Sequence, residues 1–303
     1  GSEMCIRDSQ YASDADIIHL KVTPDFLDGN IRDSDIEAAL KWCIENAETF
    51  NVAAVNISLA TSTTFSNYMP SFLTQEINDL YSLGIPTIIS SGNASDPFGI
   101  ASPANNSPLA FVVGAVDGNL TASSFTNKHP DLIDVYALGT DTPVDSSQGI
   151  NLLNGTSFAA PQVAGAIAAL QEASIELNGE KLGLEEISNL IMATGDNGDE
   201  IYDGKIINTD RLIQKFIDEQ NRAKHRAKVY KEWLQTTFPV MVAHRCIEMW
   251  KEMKGTPLRE QFDKRVLRHL KEGFFKRYLV IHNPVSYTHL RAHETSLHLV
   301  CRL

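Results

Sequence analysis

The chain is short of several things at once. It has only four cysteines in 303 residues, Cys5, Cys43, Cys246 and Cys301. They are too few and too scattered for a disulfide framework or a zinc site. No run of 18 uninterrupted apolar residues occurs, so no transmembrane helix is expected. The N-terminal residues lack a basic stretch followed by an apolar core, so no signal peptide is expected in this chain. Basic residues are scarce over most of the length. Residues 1–210 hold 7 Lys and Arg against 29 Asp and Glu, a net of −22, whereas residues 211–303 hold 19 against 9, a net of +10. The acidic part argues against nucleic acid as its partner. There is no internal repeat and no low-complexity segment.

What is present is an ordinary globular composition, 43% hydrophobic and 21% charged, too apolar for a wholly disordered chain. The length suggests about two domains. Short apolar runs alternate with helical periods between about residues 15 and 220. Strands are expected at 17–22, 52–59, 85–90, 111–116 and 132–138. Helices are expected from Ser34 or Asp35 to about Glu48, at 71–83 with Gly84 as terminator, at 156–172, at 184–193 and at 210–220. The run 52–59 is nearly continuous in apolar residues, as a strand covered on both faces requires. This alternation predicts an α/β domain with a mainly parallel sheet and helices on both faces. The helix at 156–172 carries small residues all round, which predicts close packing and burial.

Four stretches are expected. Residues 1–11 read as a non-native leader and 284–303 as a non-native tail, because MCIRDS (4–9) and VSYTHLRAHET (285–295) resemble translated adapter sequence. On that reading the gene continues upstream of about Ser9. Residues 12–220 form the α/β body, and 221–283 a basic, amphipathic extension with Trp233, Trp250, Phe274 and Phe275. The extension is read as a helical appendage, as a module drawn to acidic surfaces, or as a nucleic-acid or membrane-surface helix. His289 and His293 stand four apart, but no acidic third ligand accompanies them, so no metal site is assigned.

Chemistry concentrates in two places. The first is Asn154-Gly155-Thr156-Ser157-Phe158-Ala159-Ala160-Pro161. It places Ser157 in the first turn of the buried helix, where free N–H groups and the positive dipole end gather. Taken alone, such a serine is an ordinary cap. The second is Ser90-Ser91-Gly92-Asn93, a polar turn after an apolar strand. An asparagine amide beside a helix-terminal serine supplies half of an oxyanion hole, and the serine's own N–H the other half.

The motif GTSFAAPQVAG resembles the serine motif of the subtilisin-like serine proteases. Further blocks follow the family's order over most of residues 12–220: Val55 to Ala60, Ile88 to Asn93, Phe111 to Asp117, Ser124 to Asn127, and Val135 to Thr140. The resemblance implies a subtilisin-like three-layer fold and an endopeptidase acting through an acyl-enzyme. Ser157 is then the nucleophile and Asn93 the oxyanion donor. Ser58, Leu59 and Ala60 form one wall of the substrate cleft, Ser90, Ser91 and Gly92 the other, and Asn154, Gly155 and Thr156 border it. Substrate is an extended peptide added as a strand. No cofactor is evident, structural calcium enters by family analogy only, and the same analogy favours an extracytoplasmic location.

The departures are equally plain. The family's Asp-Thr-Gly strand and His-Gly-Thr-His helix do not appear, and only His19 and His129 precede Ser157. Neither has the family's context. The chain by itself is therefore expected to be inactive for want of a base. Ala60 and Leu138 stand where the family has Gly and Pro. Two rivals stay open. One is a peptide-binding module that has lost its base. The other is an α/β-hydrolase esterase, which would need Gly-x-Ser-x-Gly where this chain has Gly155-Thr156-Ser157-Phe158-Ala159.

Overall fold

The computed structural model describes residues 15–23, 31–71, 73–146, 149–202 and 204–229. The chain divides into two units, Gly1–Gln220 and Asn221–Leu303. Of the second unit the described residues are 221–229, which are helical and exposed. The rest of the basic extension and both presumed foreign ends lie outside the described residues.

The first unit is built on five parallel strands: β1 (Val55–Ile57), β3 (Thr87–Ser90), β5 (Phe111–Val116), β6 (Val135–Leu138) and β9 (Lys205–Ile206), adjacent in that order. Two short antiparallel pairs stand apart, β2 (Thr64–Phe65) with β4 (Ile100–Ala101) and the hairpin β7 (Thr142–Ser146) with β8 (Gly149–Leu153). The helices are α1 (Asp33–Asn46), α2 (Leu73–Ser82), α3 (Thr156–Asn178) and α4 (Leu184–Thr194). Residues 209–220 close the unit as α5.

The layers follow from strand alternation. Ile89 and Val112 point into a cluster with Ile36 and Leu40 of α1 and Ile77 and Leu80 of α2. Their neighbours Ile88 and Val113 point into a second cluster with Ala159, Val163 and Ile167 of α3 and Ile187 of α4. The sheet is thus covered by helices on both faces, the three-layer α/β arrangement that its near-continuous apolar strands anticipate.

Element boundaries differ in instructive ways. The helix α1 begins at Asp33, with Arg32 as N-cap and no side-chain cap bond. Asp33 and Asp35 lie in its first turn and act as charges at the positive dipole end rather than as caps. In contrast, α2 is introduced as expected: the Leu73 N–H donates to Ser71 Oγ at 3.1 Å. Gly84, at φ +73°, follows its end, in the left-handed region that a glycine enters most cheaply. Residues 17–22 are extended but form no ladder, and the strand expected over 52–59 is only Val55–Ile57. α3 runs six residues further than expected, to Asn178. It is buried through its first three turns, whereas Glu172, Ile175 and Glu176 further on are exposed.

Candidate active site

The site forms where three separate segments meet at the C-terminal ends of parallel strands, the usual location of function in such sheets. β1 leads directly into Ser58, β3 leads through Ser91 and Gly92 into Asn93, and α3 begins at Thr156 and Ser157. Gly155 precedes that helix, with its N–H donated to Gly139 O at 2.8 Å.

Ser157 and Ser58 hold each other reciprocally. Ser157 Oγ donates to Ser58 O at 3.3 Å, and Ser58 Oγ donates to Ser157 O at 2.9 Å. Asn56 Nδ2 in turn donates to Ser58 Oγ at 3.0 Å. The partner of the Ser157 hydroxyl is therefore a backbone carbonyl, which accepts a hydrogen bond but cannot take the proton away.

Asn93 is tied to the same helix start. Its Oδ1 accepts the Thr156 N–H and the Thr156 hydroxyl, each at 2.9 Å. Thr156 Oγ1 also accepts the Gly92 N–H at 3.3 Å. Because the oxygen faces Thr156, the nitrogen of the amide is the end left for another acceptor. Asn93 Nδ2 sits 3.5 Å from where a Cβ on Gly155 would stand, so the absence of a side chain at Gly155 keeps that space open.

The turn bearing Asn93 has its own staple. Asn127, fully buried, donates from Nδ2 to Ser91 O at 2.9 Å. Its Oδ1 accepts the N–H groups of Ala94 and Asp96, at 2.9 and 3.2 Å. The turn requires glycine at position 92: φ is +101°, and a Cβ there would lie 2.5 Å from Asn127 Nδ2 and 2.8 Å from Ala101 Cβ. Asp96 continues the network, accepting the hydroxyl of Thr64 and the N–H of Phe98. Those two bonds, the Thr64 hydroxyl first, hold its carboxyl below the usual carboxylate range.

The residues singled out from sequence are thus brought together unevenly. Ser157, Asn93, Ser58, Gly155 and Thr156 converge. Ser90 and Ser91 are wholly buried, their hydroxyls directed to Leu59 O at 3.4 Å and Asn127 O at 3.3 Å. Leu59 is half-buried and Ala60 exposed. Asn154 accepts the Asp141 N–H at 2.6 Å, joining the base of the β7–β8 hairpin to the entry of α3. His129 accepts the Asp131 N–H through Nδ1 at 3.1 Å, in a loop away from this network. Sequence reasoning assigned Thr156 only to the cleft border and gave Asn127 no role; the signal for both was their adjacency to glycine- and serine-rich motifs. No group of three or more His, Cys, Asp or Glu suited to a metal ion occurs among the described residues, so they offer calcium no carboxylate cluster.

A parallel three-layer α/β unit that sets a serine at a buried helix N-terminus against a strand-end asparagine defines a hydrolase-like architecture. The profile of the subtilase family matches residues 8–212, and the chain belongs to that family. Among curated relatives, the alkaline proteinase of Hapsidospora chrysogena is 29% identical over 166 residues, covering 53% of this chain and 39% of the relative. A cuticle-degrading serine protease of Arthrobotrys oligospora is 31% identical over 142 residues, covering 46% and 32%. The chain therefore spans well under half the length of the curated relatives it matches. Among solved structures, a lanthipeptide protease superposes with a TM-score of 0.58 at 17% identity, over 71% of this chain and 74% of that one. The prenylagaramide maturation protease PagA gives 0.53 at 23% identity, over 64% and 70%. These two likenesses establish the fold.

Proposed function

We propose that this chain carries the nucleophile half of a subtilisin-like serine endopeptidase. Ser157 attacks the scissile carbonyl of an extended peptide, and Asn93 Nδ2, with the Ser157 N–H, receives the developing oxyanion. The observation that carries this reading is the double bond from Thr156 to Asn93 Oδ1, which turns the amide nitrogen outward beside the helix start. Ser58, Leu59 and Ala60 flank the substrate on one side and Ser90, Ser91 and Gly92 on the other. The parent enzyme works outside the cytoplasm, in keeping with a relative named as cuticle-degrading.

In this chain alone the proton of Ser157 has nowhere to go, because its hydroxyl faces the carbonyl of Ser58. The chain is then inactive as it stands. The second reading, a peptide binder without chemistry, rests on that same contact.

An added base distinguishes the two. The full chain is treated with a fluorophosphonate probe, with and without molar imidazole. Serine Oγ attacks phosphorus, fluoride leaves, and imidazole takes the proton. The expected result is slow labelling alone and clear acceleration with imidazole, lost in Ser157→Ala. Labelling with imidazole no faster than that of Ser157→Ala sinks the nucleophile assignment and favours the binder. Rapid labelling without imidazole shows instead that the chain holds a base.

A further inference from the structure

β1 is the edge of the main sheet. It pairs with β3 on one side and with no strand on the other among the described residues. The Val55 N–H donates to Pro86 O at 2.9 Å, so the main chain of Val55 faces β3. Successive residues of a strand direct their main-chain groups to alternate sides, so the main chain of Asn56 faces away from β3. The Asn56 side chain adds a second unmet group: its Oδ1 is buried and has no donor.

A cavity of about 970 Å³ borders this edge. Residues 51–59 and the extended run 15–23 line it, together with Ile36 and Leu40 of α1 and Ala164 and Ala168 of α3. α1 and α3 belong to opposite faces of the sheet. The cavity is therefore in the plane of the sheet, with a helix over each face and extended chain along it. Ala168 and Ala169 are only half-buried, and Ile175 is 37% exposed. Their side chains are short of neighbours where the rest of α3 is tightly packed.

We propose that this cavity is the docking slot for one extended apolar strand of another polypeptide, which joins the main sheet parallel to β1. The main-chain edge asks for N–H and C=O groups at strand spacing, which a small molecule or a helix does not offer. Apolar walls on both faces ask for apolar residues at successive positions, not alternate ones. Every existing neighbour in the sheet is parallel. An edge of seven residues, 52–58, accommodates a partner of about 23 Å at the rise of a parallel strand. A second copy of the chain fits less well, because a two-fold β1–β1 contact is antiparallel and helices wall the edge on both faces. The slot is independent of the chemistry assigned to Ser157.

Two synthetic octapeptides test the proposal on the full chain: Lys-Val-Ile-Ala-Val-Val-Thr-Lys, and the same peptide with Pro in place of its Ala. The first is expected to raise the melting temperature by several degrees and to slow hydrogen exchange of the Asn56 N–H at least tenfold. The proline peptide does neither, since it lacks a ladder donor. Ala168→Phe, which fills the slot from α3, removes the effect of the first peptide; should that variant not fold, Ala168→Leu takes its place, and the exchange of Asn56 decides. No shift at millimolar peptide overturns the proposal, as does a shift that leaves Asn56 exchange unchanged. Protection of Asn56 that rises with chain concentration, without peptide, assigns the edge to a second copy and also overturns it.

Discussion

Thr156 makes two hydrogen bonds to one atom of Asn93, from its main-chain N–H and from its hydroxyl, each at 2.9 Å. The hydroxyl also serves as acceptor for the buried Gly92 N–H. Thr156→Val keeps the shape, removes one of the two bonds to Asn93 and orphans that N–H. The expected loss is about 1–3 kcal/mol, read from urea unfolding. A variant as stable as the parent would show that Thr156 does not hold the turn.

Asn93→Ala removes the proposed oxyanion donor from an exposed position. The imidazole-assisted labelling of Ser157 is expected to fall about a hundredfold or more, the scale of a lost donor in enzymes of this kind. That magnitude was established on a subtilisin. The melting temperature is expected to change little. An unchanged labelling rate would remove Asn93 from the chemistry.

Gly92→Ala places a methyl group against Asn127 Nδ2 and Ala101 Cβ at a backbone angle that alanine resists. Destabilisation of more than about 1 kcal/mol is expected, measured by thermal or urea unfolding. The mutant's turn would shift, so Ser157 labelling should fall with it.

Asn127 satisfies one carbonyl and two N–H groups of that turn from a fully buried position. Asn127→Ala leaves these three without their partner. A cost of at least about 2 kcal/mol is expected, since each unmet buried group costs about 1–3 kcal/mol. Faster hydrogen exchange confined to Ala94 and Asp96 would locate the damage; uniform exchange would contradict the staple.

Asp96 gives the turn a pH dependence. The Thr64 hydroxyl and the Phe98 N–H favour its ionised form, so its folded value lies below the unfolded one. Its contribution to stability is present above the unfolded value, about 3.9, and is lost as pH falls through the lower folded value. Asp96→Asn should therefore flatten the acid limb of the stability curve below about pH 4. Parallel acid limbs for the two proteins would rule out this role.

Much of the fold was legible because its signals are local. Phe111 to Val116 reads as a buried strand in sequence and is β5 in the structure. The small residues from Ala159 to Ala169 announce a helix pressed against a sheet. Boundaries were harder where the deciding partner is distant. Residues 17–22 have a strand's composition, but a ladder needs a neighbour, and here a cavity lies beside them. The Asp33–Asp35 segment shows the reverse: its acidic residues mark a helix start, yet only the backbone tells a cap from a first-turn charge.

The sequence by itself determined the parts of the site. Gly155 before a small-residue helix fixes where Ser157 stands, because turn geometry and helix periodicity depend on near neighbours. Only the tertiary structure decided what Ser157 faces. Its bond to Ser58 spans 99 residues and that from Thr156 to Asn93 spans 63. Contacts at that separation are set by which strand lies beside which, and that order is a property of the assembled sheet.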